Sequence, residues 1–284
     1  MARNTEDVRS QLTEWARDHS GVRVMLLTGS RTQPAARVDA LSDYDIILYV
    51  RDVSEFRDSD DWLSTFGEVM VRWPRTPRST GREGWITRLA LFADGARIDF
   101  QIGPDSELLQ DALDEGYEVL MDKDGLASAL PLPTYAKYLV TCPTEVEYAE
   151  LVNDFWWDAT YVAKYLMRDE LPFAAFMLGG VLRDQFLHTL ISWHLGSLHD
   201  WQVNVGVHGR HFKKLLEQET WEAYESTFPK AEIEDHWQAF LDTLALFRGL
   251  AVRLAERLGY HYLHELDQNV SRYCQRIRER NPNS

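Results

Sequence analysis

Two aspartates that follow a Gly-Ser turn constrain this chain more than any other feature. Residues 22–27 and 46–50 are short apolar runs, which predict two buried strands. A Gly-Ser-Arg turn at 29–31 follows the first strand, and Asp43 and Asp45 lead into the second. Side chains two residues apart in a strand point to the same face, so we expect both carboxylates to lie on one face.

This stretch combines a phosphate-binding turn with the beginning of a cation site. Gly29 allows a backbone to approach a phosphate closely, and Ser30 offers both an N–H and a hydroxyl group. Two carboxylates on one face repel each other unless a cation lies between them, and Mg²⁺ prefers oxygen ligands. Phosphoryl and nucleotidyl transfer need this combination of groups.

Gly-Ser followed by Asp-x-Asp on the next strand resembles the nucleotidyltransferase superfamily of the polymerase-β type, which takes a third carboxylate from a later strand. Residues 96–102 alternate between apolar and polar side chains, and Asp99 is the acid at their centre. Asp94 and Gly95 join this segment to residues 86–92, a typical β-hairpin signal. Asp-x-Asp alone is usually a solvated turn, but this order of elements favours a site formed with Asp99.

Length and charge limit the classes of function. A chain of 284 residues is long enough for one large domain or two ordinary ones, and 45% hydrophobic residues with 10 Trp can form a core. The net charge of −15 would repel a polynucleotide, so we expect no nucleic acid partner. An acidic cleft would instead concentrate a small cationic acceptor.

The sequence predicts a cytoplasmic protein with no membrane partner. It has no run of about 18 apolar residues, and its first residues are polar and amphipathic, unlike a signal peptide. Its two cysteines, Cys142 and Cys274, have no metal-binding spacing and suit a reducing compartment.

The predicted fold class is α+β, with a mixed β-sheet and flanking helices at residues 1–133 and an α-helical bundle at 134–284. Pro and Thr residues at 131–135 and 141–143 indicate the linker. Further strands are predicted at 68–73 and 117–122, and short helices at 60–66 and 106–115. Further helices are predicted at 5–18, 144–168, 173–195, 221–224, 233–258 and 263–278. Thr144 and Glu147 have the spacing of a capping box.

A run in the helical half is similar to the aminoglycoside 6-adenylyltransferases, the streptomycin-adenylylating resistance enzymes. It consists of Asn-Asp-Phe-Trp-Trp at 153–157, Thr-Tyr-Val-Ala-Lys at 160–164 and Arg-Asp-Glu-Leu at 168–171, with Ile-Ser-Trp at 191–193. The resemblance spans about residues 26–237. It implies a nucleotidyltransferase domain and a helical domain, with ATP and Mg²⁺ in the cleft between them. AMP would pass to a hydroxyl of an aminoglycoside, most simply the 6-position of streptomycin.

The resemblance also implies roles for individual residues. Phosphates of ATP would be held by Gly29, Ser30 and Arg31, and two Mg²⁺ ions by Asp43 and Asp45. Asp99 would bind the second metal ion or accept the proton of the acceptor hydroxyl. Lys164 would neutralise triphosphate charge, or is an ordinary surface lysine. The cationic groups of the acceptor would pair with Asp154, Asp158 and Asp184, or these three are acids of helix surfaces.

Two departures from the family pattern concern substrate contacts. The family tends to have Glu at the position of Asp154, and residues 206–210 read Gly-Val-His-Gly-Arg where the family has Gly-Lys-x-Gly-Lys. Trp156 and Trp157 suit stacking on a cation or on adenine, although we expect them to pack in the core.

Three functions remain open at this point. The first is aminoglycoside adenylylation, which implies ATP and a cationic aminoglycoside as partners of a monomer or homodimer. The second keeps the chemistry with another small antibiotic or a protein hydroxyl as acceptor. The third is a non-catalytic nucleotide sensor, which the presence of Asp43, Asp45 and Asp99 disfavours.

Overall fold

The computed structural model describes residues 5–34, 38–76, 82–110 and 113–280, and the chain divides into two compact units, Met1–Lys137 and Tyr138–Ser284. The first unit extends past the boundary predicted after Pro133. The carboxylate of Asp114 accepts hydrogen bonds from the backbone N–H groups of Thr134 at 2.7 Å, Ala136 at 3.1 Å and Lys137 at 3.2 Å. These bonds hold the segment from Thr134 to Lys137 against the first unit.

A six-stranded sheet forms the centre of the first unit. Its strands follow the helix α1 (Thr5–Asp18) and are β1 (Val22–Thr28), β2 (Tyr44–Val50), β3 (Val69–Trp73), β4 (Ile86–Phe92), β5 (Arg97–Pro104) and β6 (Glu118–Asp122), with α2 (Ser54–Arg57) after β2. Their order across the sheet is β3-β4-β5-β2-β1-β6. β2 runs parallel to β5, and the other neighbouring pairs are antiparallel. The predicted mixed sheet is therefore confirmed.

Both faces of the sheet are covered. Met25 and Leu27 of β1 pack in the cluster that includes Leu12 of α1, whereas Val24 and Leu26 pack in a separate cluster on the other face. All seven residues of β1 are buried. This burial explains why residues 24–27 of β1 are a continuous apolar run instead of an alternating one.

Several short segments form 3₁₀ turns, at Gly29–Thr32, Asp61–Phe66, Asp105–Gln110 and Leu126–Ala129. The helices predicted at 60–66 and 106–115 are therefore 3₁₀ turns, and the second is shorter than expected. The chain segments at 31–40 and 73–84 lie partly outside the described residues.

The second unit is helical, as predicted. Its helices are α3 (Glu145–Met167), α4 (Leu171–Phe176), α5 (His188–Leu198), α6 (Phe212–Leu215), α7 (Gln218–Glu225), α8 (Ile233–Leu258) and α9 (His264–Arg278), with a 3₁₀ turn at Val207–Gly209. Another 3₁₀ turn, Ala136–Tyr138, includes the point in the sequence where the first unit ends and the second begins. The capping box at the start of α3 is confirmed. Thr144 accepts a hydrogen bond from the N–H of Glu147 at 3.2 Å, and the Glu147 carboxylate accepts from the N–H of Thr144 at 2.7 Å.

The helix predicted at 173–195 contains a wider segment. π-helical geometry at Met177–Leu187 joins α4 to α5. Gly179 and Gly180 lie in it, and a Cβ atom at these positions would lie 2.9 Å from the Arg183 guanidinium and 3.4 Å from the Phe176 ring. The two glycines therefore make room for neighbouring side chains of the same helical segment. In the described part of the chain, we find no helix with the length and apolarity needed to cross a membrane.

A buried polar network links α3, α8 and α9. The indole N–H of Trp156 donates to the Tyr262 hydroxyl at 3.2 Å, which donates to Asp267 at 2.9 Å. Arg248 donates two hydrogen bonds to Asp267, at 2.5 and 2.6 Å. Burial raises the pKa of the Asp267 carboxyl, but these hydrogen bonds outweigh it and leave the pKa below its ordinary value.

Asp267→Asn should destabilise the protein by about 1–3 kcal/mol, because Arg248 and Tyr262 lose their charged partner. Since the folded pKa of Asp267 is depressed, its contribution is present at neutral pH and is lost as the pH falls through that pKa. The difference between D267N and the wild type in urea unfolding should therefore shrink on acidification. Asp242→Asn, which alters a partly exposed acid that accepts a hydrogen bond from Gln238, is the control and should change stability little. Equal stability of D267N and wild type at neutral pH would contradict this account.

Candidate active site

The acids predicted from sequence lie at one end of the central strands of the first unit. Asp45 is paired in register with Asp99 across the parallel strands β2 and β5, and with Thr28 across β1 and β2. The Thr28 hydroxyl donates to the backbone carbonyl of Asp45 at 3.3 Å. Asp43 immediately precedes β2. Three elements close in space therefore carry the three acids and the turn at Gly29–Thr32.

The Asp43 and Asp45 carboxylates are close enough to the charge of Asp99 for it to affect their ionisation. Burial and, after it, the negative charges of Asp99 and Asp43 together raise the pKa of Asp45 to about 6. The pKa of Asp43 is also raised, first by burial and then by the charge of Asp99. The cluster therefore holds negative charge that the fold alone does not fully compensate, as a cation-binding site does.

Gly29 makes room for one of these carboxylates. Its φ is +68°, a left-handed conformation that favours glycine, and a Cβ atom there would lie 1.9 Å from Oδ2 of Asp45. We predicted that Gly29 would allow a phosphate to approach. The structure gives a separate reason for glycine, namely its close contact with the Asp45 side chain.

Arg31 is anchored to the segment that precedes β2. Its Nε donates to the Asp43 carbonyl at 2.9 Å, its Nη2 donates to the Ser42 carbonyl at 2.7 Å, and its guanidinium lies 3.8 Å from the centre of the Tyr44 ring. These contacts position Asp43, whereas the sequence prediction gave Arg31 a contact with phosphate.

Arg97 is a site residue for which the sequence predicted no role. Its Nε and Nη2 donate to the two carboxylate oxygens of Asp99 at 3.0 and 2.8 Å, and its Nη1 lies 3.6 Å from Oδ2 of Asp43. The alternation of β5 already places residues 97 and 99 on one face, and this signal was sufficient to group them.

The carboxylate oxygens of Asp43 and Asp45 suit a hard divalent cation, and burial followed by neighbouring negative charge raises the pKa of both groups. Asp99 has both of its oxygens bonded to Arg97. Across residues 5–34, 38–76, 82–110 and 113–280, no group of three His, Cys, Asp or Glu side chains is arranged to hold a metal ion. Asp43 and Asp45 thus fit the cation, while Asp99 is engaged by an arginine.

In the second unit, two predicted acceptor-binding acids lie together on α3. Asp154 is exposed, and Asp158 is half-buried one turn later. Burial raises the pKa of Asp158, and the charge of Asp154 raises it further. Like-charge proximity of this kind favours a bound cation.

Lys164 lies farther along α3 among aromatic rings. Its Nζ lies 4.5 Å from the centre of the Tyr161 ring and 4.8 Å from that of Tyr165. Trp157, on the same helix, is 63% exposed, so the prediction that it packs in the core is wrong. Trp156 is fully buried, and for it that prediction is confirmed.

Asp184 differs from the acids of α3 because it lies beside an arginine and a histidine of its own helical segment, and burial lowers the pKa of that histidine, His188. Its Oδ1 lies 3.4 Å from Nε of Arg183 and 4.0 Å from Nε2 of His188. We therefore separate Asp184 from the pair Asp154 and Asp158.

Asp45→Asn should raise the melting temperature at neutral pH in a buffer that contains EDTA. The pKa of Asp45 rises from 3.8 to about 6 on folding, so the folded state binds more protons between these values and stability falls as pH rises through them. The advantage of D45N should shrink as the pH falls from about 6 towards 3.8.

Asp52→Asn is the matched control, because hydrogen bonds from Ser54 lower the pKa of Asp52. The ionised form of Asp52 therefore stabilises the folded protein, whereas that of Asp45 destabilises it. D52N should lower the melting temperature at neutral pH. A D45N protein that is no more stable than wild type there would show that Asp45 is not held at an unfavourable position.

The chain is similar to known proteins along almost its whole length. A family model described as streptomycin adenylyltransferase matches residues 2–277. The chain is 30% identical over 283 residues to the aminoglycoside 6-adenylyltransferase of Bacillus subtilis (strain 168), covering 97% of this chain and 98% of that relative. It is 29% identical over 282 residues to the enzyme of the same name from Campylobacter jejuni, covering 98% and 97%. The crystal structure of an aminoglycoside 6-adenyltransferase from Bacillus subtilis is 25% identical, covers 98% of this chain and 100% of that one, and superposes with a TM-score of 0.48.

Proposed function

Because the chain belongs to the streptomycin adenylyltransferase family, we propose that it transfers AMP from Mg-ATP to a hydroxyl of an aminoglycoside, with the 6-position of streptomycin as the preferred acceptor. The membership confirms the resemblance inferred from residues 153–171. The single observation that carries the proposal is the cluster of Asp43, Asp45 and Asp99 beside the turn at Gly29–Thr32. A sensor that only binds nucleotide does not need three mutually repelling carboxylates.

Each residue of the cluster has a distinct role in this proposal. Asp43 and Asp45 would hold divalent cations, which make the acceptor hydroxyl more acidic and stabilise charge on the phosphates. The backbone and hydroxyl of Ser30 bind phosphate oxygens at the turn, and Gly29 keeps the turn close to Asp45. Arg31 maintains the position of Asp43 through the carbonyls it binds. Asp99, once free of Arg97, is the second-cation ligand or the acceptor of the hydroxyl proton.

The surface of α3 supports a cationic acceptor. Asp154 and Asp158 offer two carboxylates one helical turn apart, which suit the guanidinium groups of streptomycin because forked hydrogen bonds add strength and geometry. The net charge of −15 attracts a cation at longer range. Lys164, held on two tyrosine rings, is our candidate for neutralising triphosphate charge.

Incubation with Mg-ATP and a panel of cationic and neutral antibiotics tests the function directly. Pyrophosphate release and a product that gains one adenylyl group are expected with streptomycin and not with neutral antibiotics. Transfer only to a neutral antibiotic or to a protein hydroxyl would contradict the aminoglycoside acceptor but support the transfer of AMP. ATP binding without any transfer would favour the sensor function.

Asp154→Asn should raise the KM for the aminoglycoside far more than the KM for ATP, by about tenfold, the effect of losing one charge-assisted hydrogen bond. Asp184→Asn is the comparison variant, because Asp184 already contacts Arg183 and His188. It should change the aminoglycoside KM less. Steady-state kinetics with each substrate varied in turn provide the measurement. Equal effects of D154N and D184N on the aminoglycoside KM would contradict the proposal that acids of α3 bind the acceptor.

A further inference from the structure

We propose that Arg97 is an internal counter-ion of the acidic cluster, and that it must release Asp99 before a divalent cation can use that carboxylate. The inference rests on the proposed function, since that function requires the cation. Arg97 would act on the reaction through Asp99, with which it forms an ion pair at 2.8 Å.

The geometry of the contact is a two-bond fork. Arg97 and Asp99 lie two residues apart on β5 and on the same face of the strand. Nε and Nη2 of the arginine bond to different oxygens of the carboxylate, at 3.0 and 2.8 Å. Such parallel charge-assisted bonds are among the strongest side-chain contacts in proteins. The guanidinium also reaches within 3.6 Å of Asp43, so it spans two of the three acids.

A metal ion and this guanidinium compete for the same oxygen atoms. Only 14% of the Asp99 side chain is exposed, so little of the carboxylate remains accessible while the fork is intact. β5 itself is held by its pairing with β2 on one side and β4 on the other. The side chain of Arg97 is 45% exposed and can rotate towards solvent without crossing the core. The arginine is therefore the partner that moves.

The other arginine of the site shows why this competition is specific to Arg97. Arg31 donates to the backbone carbonyls of Ser42 and Asp43 and leaves the carboxylates untouched by hydrogen bonds. It can remain in place when a cation binds. The two arginines therefore have different roles. Arg31 holds the backbone segment that carries Asp43, whereas Arg97 binds the Asp99 carboxylate that a cation would use.

Titration with Mn²⁺ in the absence of nucleotide, followed by calorimetry, tests the proposal. Arg97→Lys keeps the positive charge but cannot form the planar fork, so R97K should bind Mn²⁺ several-fold more tightly than wild type. Arg97→Gln removes the charge as well and should gain about tenfold or more. Arg272→Lys, at an exposed arginine of α9 bonded to Gln268 and Asn269, is the matched control and should behave as wild type.

A double-mutant cycle with Asp99→Asn separates the fork from general electrostatics. In the D99N background the Arg97→Lys change should have almost no effect on Mn²⁺ affinity, since the contested carboxylate is gone. In EDTA, R97Q should also melt at a lower temperature than wild type, because the acids lose their counter-ion. Circular dichroism of each variant checks that it is folded.

Equal Mn²⁺ affinity of R97K and wild type would overturn the role of Arg97, even if R97Q gains affinity through its net charge. Absence of Mn²⁺ binding in wild type, R97K and R97Q alike would overturn it as well. Both results are independent of the antibiotic assay, which decides the proposed function by product formation. If R97K binds Mn²⁺ more tightly than wild type but no aminoglycoside is adenylylated, the role of Arg97 as counter-ion stands and the aminoglycoside acceptor is rejected.

Discussion

The site depends on the parallel pairing of β2 with β5, because this pairing places Asp45 beside Asp99. Ile98, Phe100 and Ile102 alternate with Asp99 along β5 and are fully buried. A slip of one residue would turn these three side chains to the other face and bury the carboxylate. The free energy of burying three large apolar side chains therefore holds one acid in register with its neighbour. Packing of the core and position of the reactive group are two consequences of one alternating pattern.

Gathering acids in this way has a cost that the surrounding residues reduce only in part. Burial and neighbouring charge leave the pKa of Asp45 at about 6, so its ionised form is disfavoured at the position where a cation would need it. Gly29 accommodates the Asp45 side chain, and Arg97 compensates the charge of Asp99. A site whose charge is left incompletely compensated is suited to binding a cation, because binding then relieves the repulsion. The contribution of the site to stability and its proposed function therefore oppose each other.

Local signals predicted much of this structure. The period of apolar residues gave α8 at 233–258, and the spacing of Thr144 and Glu147 gave the start of α3, since both depend on residues a few positions apart. Alternation around Asp99 likewise predicted which side of β5 is buried. The orientations and partners of individual side chains were not predictable. Helical period does not show which aromatic residue faces solvent, so Trp157 was misassigned, and the partner of Arg97 depends on a rotamer. The partners of Arg31 and Asp184 were not predicted for the same reason, because the sequence places several possible bonding groups near each of these side chains.

Single-turnover adenylyl transfer by Asp43→Asn, Asp45→Asn and Asp99→Asn tests the central claim most directly. Asp52→Asn is the control, because Asp52 lies just beyond the far end of β2 and accepts its hydrogen bonds from Ser54. If the three acids act on the reacting groups, D99N should slow formation of adenylylated streptomycin by about 10²–10⁴-fold, the range for loss of a general base, and D43N and D45N should slow it at least as much. D52N should transfer at nearly the wild-type rate. A folded D45N protein that transfers AMP as fast as wild type would contradict the account.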